Sequence, residues 1–236
     1  MAKPQVQSPY KLSPSKFLFG FDRCKKCFYL DIKKGLSAPS AFPSIFSKYD
    51  VIHKNSTDGL RTEEVCPEMP QGTFIKGPGD KFLESIDIKG KNASGYISGK
   101  GDAFLKLDDG SYAVIDFKTT AMNAEKAKDY STQLHAYKYA LENNKDNKPH
   151  LSPITKLGIL IFEPDINQKM KKNNSTSFGI MHKVEWFEIK INEKKFINYV
   201  KEVIDLLGSD EVPESDSSSP CLDCEFRMNI ENKIYD

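Results

Sequence analysis

The stretch YAVIDFKTT, residues 112–120, places two charged side chains at the end of an apolar run. The apolar residues predict a short buried strand, and side chains alternate along a strand, so Asp116 and Lys118 share one face. Charged groups are costly to bury unless they are paired or bind a metal. This stretch therefore indicates a functional site at the end of a core strand.

A second acidic residue, Asp102, lies upstream in the stretch Gly99-Lys100-Gly101-Asp102. The pattern predicts one strand from Gly95 to Leu107, then the turn residues 108–110 and a second strand in SYAVIDFKTT. The two strands predict a β-hairpin that brings Asp102 close to Asp116. Two carboxylates in a small space repel each other unless a divalent cation such as Mg²⁺ lies between them. Such a metal lowers the pKa of a bound water, which can attack a phosphodiester. Lys118 can then orient the nucleophile or stabilise the anionic transition state.

The polar, alanine-bearing stretch NAEKAKDYSTQLHAYKYALEN predicts one long helix after this strand. Gln133 and Tyr137 are four residues apart and share a helix face, together with Tyr130 and Leu141. That face favours packing against the sheet, and a buried glutamine needs hydrogen-bond partners. An active-site carboxylate or a phosphate would serve, although ordinary helix residues are the alternative interpretation.

These three elements, in this order, resemble the PD-(D/E)xK nuclease superfamily, and in particular its RecB/Cas4-like branch. The resemblance implies a restriction-endonuclease-like core that cleaves DNA phosphodiesters with Mg²⁺ or Mn²⁺. It implies that Asp102 and Asp116 are metal ligands and that Lys118 is the catalytic lysine. It also places Gln133 and Tyr137 beside the active site, in contact with substrate or catalytic groups.

The same resemblance implies an upstream helical acid or histidine near the metal. The stretch KYDVIHKNSTDGLR offers Asp50, His53 and Asp58. His53 fits the histidine of Cas4-like members and is favoured slightly, whereas Asp50 and Asp58 would supply oxygen ligands. A surface helix with scattered charges is the alternative interpretation for each of them.

Four of the five cysteines form two CxxC pairs, Cys24/Cys27 and Cys221/Cys224. In a reducing compartment this spacing indicates metal ligation more than disulfides, and four thiolates suit Zn²⁺ or an iron–sulfur cluster. The resemblance favours a 4Fe-4S cluster, but that branch often has one upstream cysteine and three near the C-terminus, so Zn²⁺ stays open. Either group would join a cap formed by residues 12–60 and 218–236. Cys66 is expected to be a bystander.

The composition is that of an ordinary soluble protein, with 236 residues, 28% charged residues and a net charge of +1. A dedicated electrostatic nucleic-acid binder is usually more basic, so any such site must be a local patch. No apolar run approaches a membrane span, and the first residues lack the apolar core of a signal peptide. A cytoplasmic location without membrane partners is the expectation.

The remaining patterns predict an α/β fold with a mixed central sheet flanked by helices. A first helix is expected from Ser13-Pro14 to about Gly35, and an amphipathic segment from Ser44 to about Asn55. LGILIFEP and HKVEWFEIKI predict two strands, and Asn192 is expected to cap a last helix that ends near Gly208. We expect one domain over residues 1–236, with its core at about 80–208.

The predicted function is therefore metal-dependent cleavage of DNA, by an exonuclease of recombination, repair or defence. Single-stranded DNA is a candidate substrate, and a helicase or another recombination or defence protein is a candidate partner. The alternative is a catalytically silent nucleic-acid-binding scaffold with the same fold and the same four-cysteine clamp. A disulfide oxidoreductase is disfavoured because the CxxC pairs lack its βαβ setting.

Overall fold

The computed structural model describes residues 9–37, 43–77, 81–121, 123–174, 176–215 and 220–235. The helices are a π-helix (Phe17–Asp22), α1 (Lys25–Lys34), α2 (Ser44–Thr57), α3 (Thr62–Val65), α4 (Ala124–Asp129), α5 (Ser131–Glu142), α6 (Glu193–Gly208) and α7 (Leu222–Tyr235). The strands are β1 (Tyr10–Leu12), β2 (Gly72–Ile75), β3 (Leu83–Glu84), β4 (Ile88–Lys89), β5 (Ser94–Gly99), β6 (Ala103–Leu107), β7 (Tyr112–Lys118), β8 (Ile154–Pro164), β9 (Lys171–Asn174), β10 (Ser177–Gly179) and β11 (His182–Ile189). Among these residues, no helix is both long and apolar enough to cross a membrane.

The main sheet has five strands in the order β11-β8-β7-β6-β2. Its central strand β7 pairs in parallel with β8 and antiparallel with β6, so the sheet is mixed. The outer pairs, β11 with β8 and β2 with β6, are antiparallel. Helices flank this sheet, which confirms the α/β class that the sequence predicts, and both late strands lie where the apolar patterns place them.

The two faces of the main sheet carry different clusters of buried side chains. Val114 on β7 and Leu157 on β8 face the first cluster, which includes residues of α5, α6 and the N-terminal segment. Ile115 and Phe117 on β7 face the opposite cluster, together with Leu160 on β8. Alternation along β7 therefore directs residue 116 toward α5.

A second sheet is built around β5, which pairs in parallel with β1 and antiparallel with β3 and β4. The expected single strand from Gly95 to Leu107 is therefore wrong, because the chain leaves this sheet at Gly99 and enters the main sheet at Ala103. Close packing marks the crossing: a Cβ at Gly99 would lie 2.8 Å from Pro14 Cδ, and one at Gly101 2.6 Å from the Phe104 ring. The predicted turn before β7 is present.

The first predicted helix is interrupted, because a π-helix ends at Asp22 and α1 begins at Lys25. Cys24 has an extended backbone and caps α1, with its Sγ accepting a hydrogen bond from the Cys27 amide at 3.5 Å. The expected stop is confirmed at Gly35, whose φ of 67° lies in the left-handed region that glycine adopts readily. The interruption places the first CxxC pair at the N-terminus of α1.

The helix predicted after β7 is also divided, into α4 and α5, with Tyr130 between them. Asn123 caps α4 by accepting hydrogen bonds from two backbone amides of its first turn. The last predicted helix is confirmed as α6, because the Asn192 side chain accepts a hydrogen bond from the Lys195 amide at 3.0 Å. The apolar face of α6 is buried.

Candidate active site

Asp116 lies at the end of β7 and is 1% exposed. Its Oδ1 accepts a hydrogen bond from Gln133 Nε2 at 3.0 Å, and its Oδ2 contacts the ammonium group of Lys118. Gln133 Nε2 also donates to the Tyr137 hydroxyl oxygen at 3.2 Å. The structure thus brings four of the predicted site residues into one buried network between β7 and α5.

Asp102 lies just before β6 and reaches the end of β7 from the neighbouring strand. Its Oδ2 accepts a hydrogen bond from the Phe117 amide at 3.1 Å, which holds the carboxylate beside Asp116. The side chain of Asp102 is 20% exposed. The two predicted carboxylates therefore converge, and the site is reached from solvent on the Asp102 side.

The electrostatics of this pair are those of a site with excess negative charge. Burial, and then repulsion from Asp102, raise the pKa of Asp116 to about 7, although the Lys118 ammonium opposes this change. Burial alone would lower the pKa of Lys118, but attraction to both carboxylates outweighs burial and raises it. The raised pKa means that Asp116 ionises less readily without a cation, and a bound cation would favour its charged form; two carboxylates suit Mg²⁺ or Mn²⁺.

Tyr130, at the junction of α4 and α5, completes one wall of the site. The Lys118 ammonium lies over its ring, 4.5 Å from the ring centroid, which is a cation–π contact. On the other side of the network, burial and then the two carboxylates raise the pKa of Tyr137 well above its usual range. Tyr137 is therefore a neutral hydroxyl at physiological pH.

His53, the favoured upstream residue, lies on α2 and is 5% exposed. Its ring stacks on Phe162 with 4.1 Å between the centroids and also contacts Phe117, both on the sheet face opposite Asp116. Burial, and then the neighbouring His182, lower its pKa, so the imidazole is neutral. Its buried Nε2 makes no hydrogen bond within the described residues.

The upstream helix reaches the carboxylates through Lys54, which the sequence analysis did not identify. Lys54 Nζ lies 3.2 Å from Asp102 Oδ1 and 2.9 Å from Asp50 Oδ2. Asp50, one of the predicted candidates, is thus linked to the site through a lysine, while Asp58 ends α2 as its C-cap. The four-residue spacing from Asp50 to Lys54 predicts their ion pair, but no local pattern indicates the contact of Lys54 with Asp102.

The four paired cysteines form a separate cluster, in which all Sγ atoms lie within 4.8 Å of one another. Cys27 Sγ lies 3.6 Å from Cys221 Sγ and 3.4 Å from Cys224 Sγ, and Cys24 Sγ lies 3.8 Å from Cys224 Sγ. Four converging thiols form a donor set for Zn²⁺ or an iron–sulfur cluster, so the cluster is able to bind a metal. It joins the start of α1 to the start of α7. Cys66 is buried in the second apolar cluster, where its Sγ donates to Glu68.

Two carboxylates and a lysine that converge where β6 begins and β7 ends form a site suited to metal-dependent cleavage of a phosphodiester. The comparison with protein families agrees, because residues 60–228 match the PD-(D/E)XK nuclease superfamily. The chain belongs to this superfamily. The matched range contains Asp102, Asp116 and Lys118, and it begins after α2.

The comparisons with curated proteins and with solved structures give less information about this chain. The comparison with curated proteins gave no match. Among solved structures, one described as "Crystal structure of SSO0001" is similar at 14% sequence identity, with a TM-score of 0.49, and the alignment covers 95% of this chain and 87% of that chain. This similarity is too weak to bear on function.

Proposed function

We propose that the protein is a metal-dependent DNA nuclease of the RecB/Cas4-like branch, acting as an exonuclease in recombination, repair or defence. One observation carries the proposal: a buried carboxylate, Asp116, is held between Lys118 and Gln133 beside a second carboxylate, Asp102. Two carboxylates that repel each other in a buried position destabilise the fold, and such pairs are typical of functional sites.

Asp102 and Asp116 would hold Mg²⁺ or Mn²⁺. When bound, the metal supplies a water of lowered pKa and offsets negative charge on the phosphate. Gln133 donates a hydrogen bond to Asp116 and a second one to the Tyr137 hydroxyl oxygen, so Tyr137 orients the amide that fixes this ligand before the metal arrives. Asp102 is fixed by the backbone of β7 in the same way.

Lys118 contributes a permanent positive charge next to the metal ligands. Its pKa is raised by the two carboxylates, so the ammonium stays charged throughout the physiological range. Contact with Tyr130 holds it at the mouth of the site. There it can donate to a phosphate oxygen or to the attacking water and stabilise the charge that develops during cleavage.

The test is cleavage of end-labelled single- and double-stranded DNA with Mg²⁺, with Mn²⁺ or with EDTA. Wild type is compared with Lys118→Ala and with Lys106→Ala, a matched control that removes an exposed lysine from β6. We expect cleavage that needs metal and Lys118 but not Lys106. Turnover that persists in Lys118→Ala would place the active site elsewhere. DNA binding without turnover in wild type would favour the silent scaffold, or a nuclease that needs a helicase or another partner.

We propose that the cysteine cluster holds a structural metal and that a single tetrahedral ion such as Zn²⁺ fits it better than a 4Fe-4S cluster. Zn–S bonds of about 2.3 Å place thiolates about 3.8 Å apart in a tetrahedron. Three of the six Sγ–Sγ separations are 3.4–3.8 Å, and all six are at most 4.8 Å. A four-iron cluster is wider and would require the sulfurs to separate. The protein would work in the cytoplasm, where thiols stay reduced.

Metal analysis and visible absorption of anaerobically purified protein distinguish these two groups. We expect about one zinc per chain, no absorption near 400 nm, and loss of the metal in Cys224→Ser but not in the control Cys66→Ser. Iron with sulfide and a brown colour would establish the cluster instead. Unchanged metal content in Cys224→Ser would show that the four cysteines are not the ligands.

A further inference from the structure

An exposed aromatic ring lies among lysines close to the candidate active site. Phe82, immediately before β3, is 53% exposed. The ammonium groups of Lys11 and Lys100 lie 5.4 Å and 5.1 Å from the centroid of its ring. Lys11 lies on β1 and Lys100 immediately follows β5, so two separate parts of the fold bring positive charge to this ring.

The sheet register places this ring on the approach to the carboxylates. Leu83, the residue after Phe82, pairs with Gly99 at the end of β5. Lys100 follows Gly99, and Asp102 is only two residues further along the chain. The Phe82 ring therefore lies beside the segment that delivers the second carboxylate.

A second exposed ring is connected to the site from another element. Phe19, in the π-helix, is 59% exposed, and its ring contacts the edge of Tyr130 at 6.3 Å between centroids. Tyr130 in turn carries the Lys118 ammonium on its face. A continuous series of contacts thus leads from the candidate catalytic lysine to a solvent-exposed aromatic ring.

Rings interspersed with lysines match the chemistry of single-stranded nucleic acid. Lysines attract the phosphates, and exposed rings stack on bases, whose faces are free in a single strand but covered in a duplex. We propose that Phe82 and Phe19 are base-stacking positions of a track that binds single-stranded DNA, with Lys11 and Lys100 contacting its backbone. The path of the strand past Asp102 rests on the proposed nuclease function.

The test measures binding by fluorescence anisotropy, without added metal or chelator, so that cleavage does not interfere. Three labelled probes of equal length are compared: oligo(dT), a duplex, and an abasic oligonucleotide that keeps the phosphates and lacks the bases. Wild type is compared with Phe82→Ala, Phe19→Ala and the control Phe226→Ala, which removes a 64% exposed ring from α7. Circular dichroism verifies that each variant is folded.

We expect wild type to bind oligo(dT) more tightly than the duplex or the abasic probe. Phe82→Ala and Phe19→Ala should each weaken oligo(dT) binding about 5- to 100-fold, as stacking contributions of this kind do, and leave abasic binding unchanged. Lys100→Gln should weaken binding of all three probes and reduce the slope of log affinity against log salt by about 0.7 to 0.9. Phe226→Ala should bind like wild type.

Two results would overturn the track: oligo(dT) binding that is unchanged in both phenylalanine variants, or a loss that is equally large for the abasic probe. Because these measurements need no turnover, they are independent of the cleavage test. Loss of stacking in the variants of a protein that never cleaves DNA would support the track and count against the nuclease. Cleavage that depends on Lys118, together with unaltered DNA binding in Phe82→Ala and Phe19→Ala, would support the nuclease and count against the track.

Discussion

Replacing Asp116 by asparagine should stabilise the metal-free protein, although Asp116 is a candidate catalytic residue. The carboxyl group is 1% exposed, and its pKa is about 7 instead of the ordinary 3.8. One pKa unit corresponds to about 1.4 kcal/mol, so keeping this group charged in the fold costs about 4 kcal/mol. The side-chain amide introduced by Asp116→Asn would carry no such cost. Its oxygen can accept from Lys118, and after a flip of the Gln133 amide its NH₂ can donate to Gln133 Oε1, which accepts no hydrogen bond within the described residues.

The stability difference between wild type and Asp116→Asn should depend on pH. Between about pH 4 and pH 7 the folded protein binds more protons at residue 116 than the unfolded chain does, so wild-type stability falls as the pH rises through this range. The advantage of Asp116→Asn should therefore approach about 4 kcal/mol at pH 8 and shrink to under half of that at pH 5. For a chain of this size, 4 kcal/mol corresponds to a rise in Tm of roughly 10 °C.

Thermal and urea unfolding of both proteins at pH 5 and pH 8, with and without Mg²⁺, measures this effect. Mg²⁺ should raise the Tm of wild type and leave Asp116→Asn unchanged, because ligand binding stabilises only a protein that binds it. Asp108→Asn is the matched control: Asp108 is exposed and paired with Arg61, so its loss should destabilise slightly at both pH values. An Asp116→Asn protein that is equally destabilised at pH 5 and pH 8 would refute the reasoning, since Asp116 would then be a charged, stabilising partner of Lys118.

Three further predictions concern neighbouring features. Lys54→Met removes an ammonium group that pairs with a candidate metal ligand, so Mn²⁺ should bind several-fold more tightly by titration calorimetry; weaker binding would contradict this competition. His135 Nε2 accepts a hydrogen bond from the Asn192 backbone amide, and burial lowers the pKa of His135. The stability advantage of wild type over His135→Gln should therefore shrink as the pH falls below about 6.5, which urea unfolding measures. A Cβ at Gly158 on β8 would overlap the Trp186 ring on β11, so Gly158→Ala should lower stability by about 1–3 kcal/mol and alter tryptophan fluorescence. An unchanged Tm would show that β8 and β11 separate readily at this point.

The sequence was sufficient for those parts of the site that depend on local spacing. Alternation along one strand places Asp116 and Lys118 on a common face, and a four-residue helical spacing places Gln133 and Tyr137 on another. The requirement that a buried glutamine be hydrogen-bonded left an active-site carboxylate or a phosphate as its partner, and in the structure the glutamine donates to Asp116. These inferences need no knowledge of how distant segments pack.

The features that sequence reasoning missed depend on tertiary contacts. Glycines at 99 and 101 are compatible with a continuous strand and with a crossing between two sheets, and only the positions of Pro14 and Phe104 decide between them. Lys54 has an ordinary helical pairing with Asp50, and its contact with Asp102 arises because the fold brings α2 beside the residue that precedes β6. Local periodicity does not encode either approach.

The separation of the two cysteine pairs along the chain sets an order of events during synthesis. Cys27 and Cys221 are 194 residues apart. At about 5–20 residues per second, the ribosome delivers the second pair about 10–40 s after the first. For that interval the nascent chain carries only half of the ligand set, and its two thiols are open to oxidation or to the wrong metal. Binding of the proposed metal would therefore be a late step that follows synthesis of the nuclease core, and a pulse-labelled nascent chain should lack the metal until α7 has emerged.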